Sequence, residues 1–180
     1  GRRPDRTGVF NFVDDFREFE AGAEWLSLPQ YFKQHNYTVL GHSKLFHRGH
    51  PASNDEPLSW TQEQQYVSQV GVGENPKGCG YFDVCPIQFA NQTVDYQIVT
   101  AAIATIERVA RMKRPFFVGV GLLRPHLPFV APQELYDLYD EAAINVTKNV
   151  APPKGAPGVA LNDCIFNHAN WSYRDPARIQ

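Results

Sequence analysis

The eight residues Phe116-Phe117-Val118-Gly119-Val120-Gly121-Leu122-Leu123 form an unbroken apolar run, the pattern of a β-strand covered on both faces. Immediately before it lies a segment that Thr93 can cap, with Val94, Ile98, Ala101, Ala102, Thr105, Val109 and Met112 in one helical stripe. Arg111, Lys113 and Arg114 close that helix ahead of Pro115, where cations suit a helix carboxyl end. The same order occurs earlier in the chain. Ser27-Leu28-Pro29-Gln30 reads as a capping box with Pro in the first turn, predicting a short helix that ends near Asn36. Tyr37-Thr38-Val39-Leu40-Gly41 then reads as a strand. Helix followed by strand, twice, predicts an α/β sheet with helical crossovers, and Pro132-Gln133-Glu134-Leu135-Tyr136 starts a further short helix.

The remaining sequence narrows this frame. A chain of 180 residues has one-domain length. Hydrophobic residues at 43% and charged residues at 20% describe a folded chain rather than a disordered one, and no apolar stretch approaches the roughly 18 residues of a membrane span. A net charge of −2 lacks the basic excess on which nucleic-acid binding depends, so no nucleic-acid partner is expected. The fourteen prolines point to long irregular connections. Residues 51–80 are polar and rich in Gln, Asn and Gly, and are read as a loop; 151–158, with Pro152, Pro153 and Pro157, as a rigid extended connection.

Four Asn-x-Ser/Thr sequons begin at Asn36, Asn91, Asn145 and Asn170, against about one expected by chance, which favours a glycosylated protein of the secretory pathway. Glycans are expected at Asn145 and at least one other site. The spacing of Cys79 and Cys85 permits a small disulfide loop. Cys164 is left over, to pair outside the chain or to remain a buried thiol. This odd cysteine, together with Gly at position 1, leads to the expectation that residues 1–180 are an internal piece of a longer protein.

Ligands of open α/β sheets gather at the carboxyl ends of strands. Two basic clusters fall there: His42-Ser43-Lys44-Leu45-Phe46-His47 after the first strand, and Arg124-Pro125-His126-Leu127-Pro128-Phe129 after the second. Neither has an acidic neighbour in sequence, and together they suit an anion such as sulfate or phosphate. Prolines on both sides of His126 are expected to fix its backbone. The bland readings are a solvated lysine and a histidine bonded to a nearby carbonyl. His42, His47 and His50 match no familiar zinc spacing. Gly41-His42-Ser43 begins like a serine nucleophile elbow, but Leu45 stands where its second Gly belongs. Arg2, Arg3 and Arg6 are read as a solvated face.

Three stretches carry a resemblance to the sulfatase family of the alkaline-phosphatase-like superfamily. Gly1-Arg2-Arg3-Pro4-Asp5 resembles the segment that directly follows the first sulfatase signature. Lys44-Leu45-Phe46-His47 resembles the second signature, and Arg124-Pro125-His126-Leu127-Pro128-Phe129 the family's Lys-Pro-His-Ile-Pro-Phe stretch. The similarity covers most of the chain and is weakest over 51–92 and after 152. Asn36, Val39 and Ser43 depart from the second signature, standing where it has Gly, a small hydroxyl residue and Gly, and His42 replaces a small residue.

The resemblance implies part of a sulfatase catalytic domain with a mixed, mainly parallel sheet flanked by helices. It implies hydrolysis of sulfate esters on sulfated glycosaminoglycan sugars in a lysosomal or secreted protein. A formylglycine nucleophile and calcium are implied too, with the modified residue and the calcium ligands both outside residues 1–180. Within the chain it implies Lys44 on the sulfate oxygens, His47 for a proton transfer, and His126 and Arg124 as substrate contacts. His42 and His50 match no family site, and their replacement by Ala is expected to be nearly silent. A phosphatase or phosphonate hydrolase of the same superfamily, or a non-catalytic glycan-binding glycoprotein, would share these features.

Overall fold

The structure is a computed structural model that describes residues 1–47, 49–61, 76–80, 83–145, 148 and 154–157. Its elements are α1 (Pro4–Thr7), α2 (Leu28–Gln34), β1 (Thr38–Ser43), β2 (Val84–Ile87), α3 (Val94–Arg111), β3 (Phe116–Gly121), β4 (Phe129–Pro132) and α4 (Gln133–Tyr136), with short 3-10 turns between them. The fold is mixed α/β, with parallel strand pairs flanked by helices.

α2 starts where its caps require. The Gln30 N–H donates to Ser27 Oγ at 3.1 Å, and the Ser27 N–H donates back to Gln30 Oε1 at 3.3 Å, satisfying two amides that have no partner inside the helix. The helix stops at Gln34, and Asn36 takes the expected left-handed conformation with φ 63°. β1 begins one residue later than expected and runs two residues further, because its pairing with β3 continues from Thr38↔Phe116 to Ser43↔Gly121. α3 is capped by Thr93, whose Oγ1 accepts from the Tyr96 N–H at 3.1 Å. It buries Val94, Ile98, Ala102, Thr105 and Val109, the predicted stripe without Ala101 and the exposed Met112.

β1 is buried along its whole length. Val39 packs with Trp60, Phe32, Tyr37, Phe46 and Phe117, and the Phe32 and Phe117 rings stack at 4.5 Å, so this face of the sheet meets α2. Side chains alternate along a strand. His42 therefore points to the opposite face, where it feels the charge of Arg108 on α3. The expectation that β3 is covered on both faces is not met among the described residues, since Phe116 and Val120 are 37% and 38% exposed.

β2 and β4 pair in parallel from Val84↔Phe129 to Ile87↔Pro132 and were not foreseen. Each holds a proline that cannot donate to a ladder, Pro86 and Pro132, which hid both strands from pattern reading. Cys79 and Cys85 are joined by a disulfide with Cα atoms 6.1 Å apart, tying residue 79 to β2. Cys164 and Asn170 lie outside the described residues, as does most of the expected 151–158 connection; of the 51–80 loop, 51–61 and 76–80 are described.

A buried ion pair ties the long amino-terminal segment to the 3-10 turn at Ser53–Asp55. Arg17 donates from Nε to Asp55 Oδ1 at 2.8 Å and from Nη2 to Asp55 Oδ2 at 2.6 Å, a two-pronged geometry open to guanidinium. Its other bonds go to the Gly22 and Trp25 carbonyls and to Gln30 Oε1. Ser59 donates to the same carboxylate, and Asp55 is 3% exposed. Arg2, Arg3 and Arg6 are exposed, with the Arg2 guanidinium 4.5 Å over the Trp25 ring.

Candidate active site

The parallel register carries the two basic clusters to one end of the sheet. Ser43 lies opposite Gly121, so Lys44 and Leu122 leave the sheet side by side. The Lys44 N–H donates to the Gly121 carbonyl at 3.2 Å. A side chain at position 121 would place its Cβ 2.1 Å from the Lys44 carbonyl oxygen, so only glycine lets the two segments come this close. Ser43 has φ 58°, the left-handed region that glycine enters freely. The Gly expected there from the family pattern thus has a conformational reason, which Ser43 meets at a cost of about 1 kcal/mol.

Lys44 is half-buried and His47 exposed. The His47 ring lies 4.8 Å from that of Phe12 and 4.5 Å from that of His50, whose Nδ1 donates to the Phe12 carbonyl at 2.8 Å. The amino-terminal segment pinned by Arg17 therefore also lies against the second-signature histidine. Ser43 is 2% exposed, which removes its hydroxyl from any nucleophilic role toward substrate.

The second cluster is built more tightly than its sequence suggests. The expectation of no nearby acidic partner is corrected by Asp95, in the first turn of α3, whose carboxylate accepts from the Leu123 N–H at 2.7 Å and the Arg124 N–H at 3.0 Å. Arg124 Nη1 donates to the carbonyls of His126 at 2.7 Å and Pro128 at 3.0 Å, curling the loop around the guanidinium. His126 is exposed, and its Nδ1 lies 2.7 Å from the Leu127 carbonyl. A carbonyl can only accept, so the Nδ1 position carries a proton and Nε2 is the basic nitrogen of the neutral ring. Beside this loop is a cavity of about 680 Å³ lined by Asp95, Arg124, Phe129, Leu135 and Tyr136. Its walls are almost wholly apolar, which suits it poorly to a sulfate group.

His42, expected to be silent in catalysis, has a structural part. It is 2% exposed near the carboxyl end of β1, so His42→Ala would leave a cavity beside the sheet. Desolvation by burial, helped by the Arg108 charge, holds its pKa below the ordinary 6.5. A lowered histidine pKa means that the unfolded chain takes up the proton first, so stability present above about pH 6.5 is lost as pH falls toward the folded value. Denaturation midpoints measured from pH 7.5 down to pH 5 are expected to fall more steeply for the native protein than for His42→Leu. Parallel curves would contradict this reading of the buried imidazole.

No family model matches the chain. Curated relatives do. It is 33% identical to human iduronate 2-sulfatase over 175 residues, covering 90% of this chain and 31% of that protein. It is 32% identical to the mouse iduronate 2-sulfatase over the same shares, and 27% identical to a sulfatase of Formosa agariphila, over 95% of the chain and 39% of that protein. The chain spans about a third of the length of the curated relatives it matches. Taken with the mixed α/β fold, these matches place the chain in the sulfatase family.

The modified nucleophile and the calcium implied by the family find no seat among the described residues. Calcium takes six to eight oxygen ligands. Among the described residues no three His, Cys, Asp or Glu side chains are grouped to hold a metal ion. Cys79 and Cys85 are bonded to each other, so neither fits a formylglycine precursor.

Proposed function

We propose that the full-length protein hydrolyses sulfate esters of glycosaminoglycan sugars, and that residues 1–180 are a piece of its catalytic domain. The observation that supports this reading is the parallel register by which the segments carrying Lys44 and Arg124–His126 leave the sheet at one end. The named relatives support it. Lys44 takes the sulfate oxygens as a fixed cation. His126, once protonated at Nε2 as well as Nδ1, presents that N–H to the ester and passes its proton to the leaving oxygen, while His47 handles the proton released as the site resets. Arg124 braces the loop through Nη1 and offers Nη2 to the substrate. These side chains bind, orient and move protons; they do not supply the attacking group, so residues 1–180 alone are expected to be inactive.

The full-length protein is expected to release sulfate from a disaccharide bearing 2-sulfated iduronate and to leave 4-methylumbelliferyl phosphate intact. Phosphate release without sulfate release would replace this reading with a phosphatase. Neither product would leave a glycan-binding role for the same basic end.

A lysosomal or secreted protein is proposed on the sequons and the disulfide. Asn36, Asn91 and Asn145 are all exposed, and Asn145 comes just after Ile144, which closes a short 3-10 turn. Mass spectrometry of protein from a eukaryotic host should show a glycosidase-sensitive shift at Asn145 and at least one other sequon. Four unmodified sites would overturn the compartment.

A further inference from the structure

We propose that Asp95 is a positioning residue for the sulfate site, acting through Arg124 on His126; this rests on the functional reading above. Its carboxylate binds two consecutive backbone N–H groups, Leu123 at 2.7 Å and Arg124 at 3.0 Å. Those amides belong to the first residues past the pairing of β1 with β3 among which the chain turns away from the sheet. Arg124, fixed at its backbone by Asp95, bonds the His126 carbonyl with Nη1. Hydrogen bonds at the Arg124 backbone and at its guanidinium, joined through its side chain, therefore connect the first turn of α3 to the backbone carbonyl of the histidine.

The anchor is rigid at its base. Asp95 stands two residues after the Thr93 cap of an 18-residue helix that packs against both β1 and β3. An acceptor with two equivalent oxygens is required, since both loop amides donate. Asparagine keeps one oxygen and sets an NH₂ donor against the other N–H, so Asp95→Asn changes the loop while barely altering side-chain size. Helix capping alone does not explain the arrangement, because Thr93 already caps α3 and the Asp95 oxygens are given to a segment 28 and 29 residues away.

The test is a double-mutant cycle in the full-length protein with the 2-sulfated iduronate disaccharide as probe. Asp95→Asn is expected to lower kcat by about 10- to 100-fold, the scale on which misplacing a reacting group acts, with little change in KM. In a His126→Ala background the same substitution is expected to cost nothing more. Thr93→Ala, which weakens only the helix start, should lower Tm and leave kcat unchanged. A native kcat for Asp95→Asn, or an equal further loss on top of His126→Ala, would overturn the positioning role. If Asp95→Asn does not fold, Asp95→Glu enters the same cycle: it retains the charge but moves the oxygens by one methylene, and a native kcat there also overturns the proposal. Unimpaired turnover in both Lys44→Ala and His126→Ala would instead sink the functional reading itself, so the two failures are distinguishable.

Discussion

Lys44→Ala in the full-length protein is expected to lower kcat by about 10²- to 10³-fold, the loss that follows removal of one preorganised charge-stabilising donor, with a smaller effect on KM. An ammonium about 3 Å from a sulfate oxygen gains on the order of 5 kcal/mol gross at an effective dielectric of 20, and desolvation removes much of it. The part that speeds the reaction is the part felt more strongly as charge builds on the sulfate in the transition state. Lys44 suits this role because its backbone is fixed before substrate arrives, by the bond to the Gly121 carbonyl and the absence of a side chain at Gly121. Steady-state kinetics on folded protein measures the split. A changed KM at native kcat would make Lys44 a substrate tether only, and no change in either would remove it from the site.

Asp55→Ala is expected to destabilise the protein by about 3–5 kcal/mol, the usual result of deleting one partner of a buried ion pair. The loss is large because Arg17 would keep its charge in a place where its side chain is only 11% exposed, with neutral acceptors left at Gln30 and the Trp25 carbonyl. Replacing both partners, Arg17→Met with Asp55→Leu, is expected to restore much of the stability, since no orphaned charge remains. Urea denaturation midpoints compare the three proteins. A loss below about 1 kcal/mol for Asp55→Ala would mean that water reaches the pair, as at an exposed salt bridge.

The parts of this architecture that local chemistry controls were readable from the residues. Ser27 with Gln30, and Thr93 ahead of a spaced apolar stripe, specify helix starts within a few residues of chain, and α2 and α3 begin there. Non-local contacts were less visible. Asp55 looks like one more polar residue in a loop until Arg17 is brought to it across 38 positions. Asp95 reads as an acid in the first turn of a helix, which the helix dipole alone would favour, and nothing nearby in sequence tells of its bond to Leu123 and Arg124. For the candidate site, strand-end placement pointed to Lys44, His47, Arg124 and His126, and the register shows only that their segments leave the sheet at the same end. His42 drew notice only as a residue that matches no family site, whereas alternation along a buried strand turns it inward and gives it a structural part.

The β1–β3 register also ties the appearance of the site to the folding reaction. Thr38 finds Phe116 across roughly eighty residues of chain, a contact of high order whose loop-closure entropy must be met before any reward, and such pairings form late and slowly. Until they form, Lys44 and His126 belong to unrelated segments, and the anion site proposed for them does not exist. A slip of one residue would be equally disabling, since it would send alternate side chains of β1 to the wrong face and shift Lys44 away from Gly121. In the proposed function, recognition of substrate thus waits until the pairing of β1 with β3 is complete and in register.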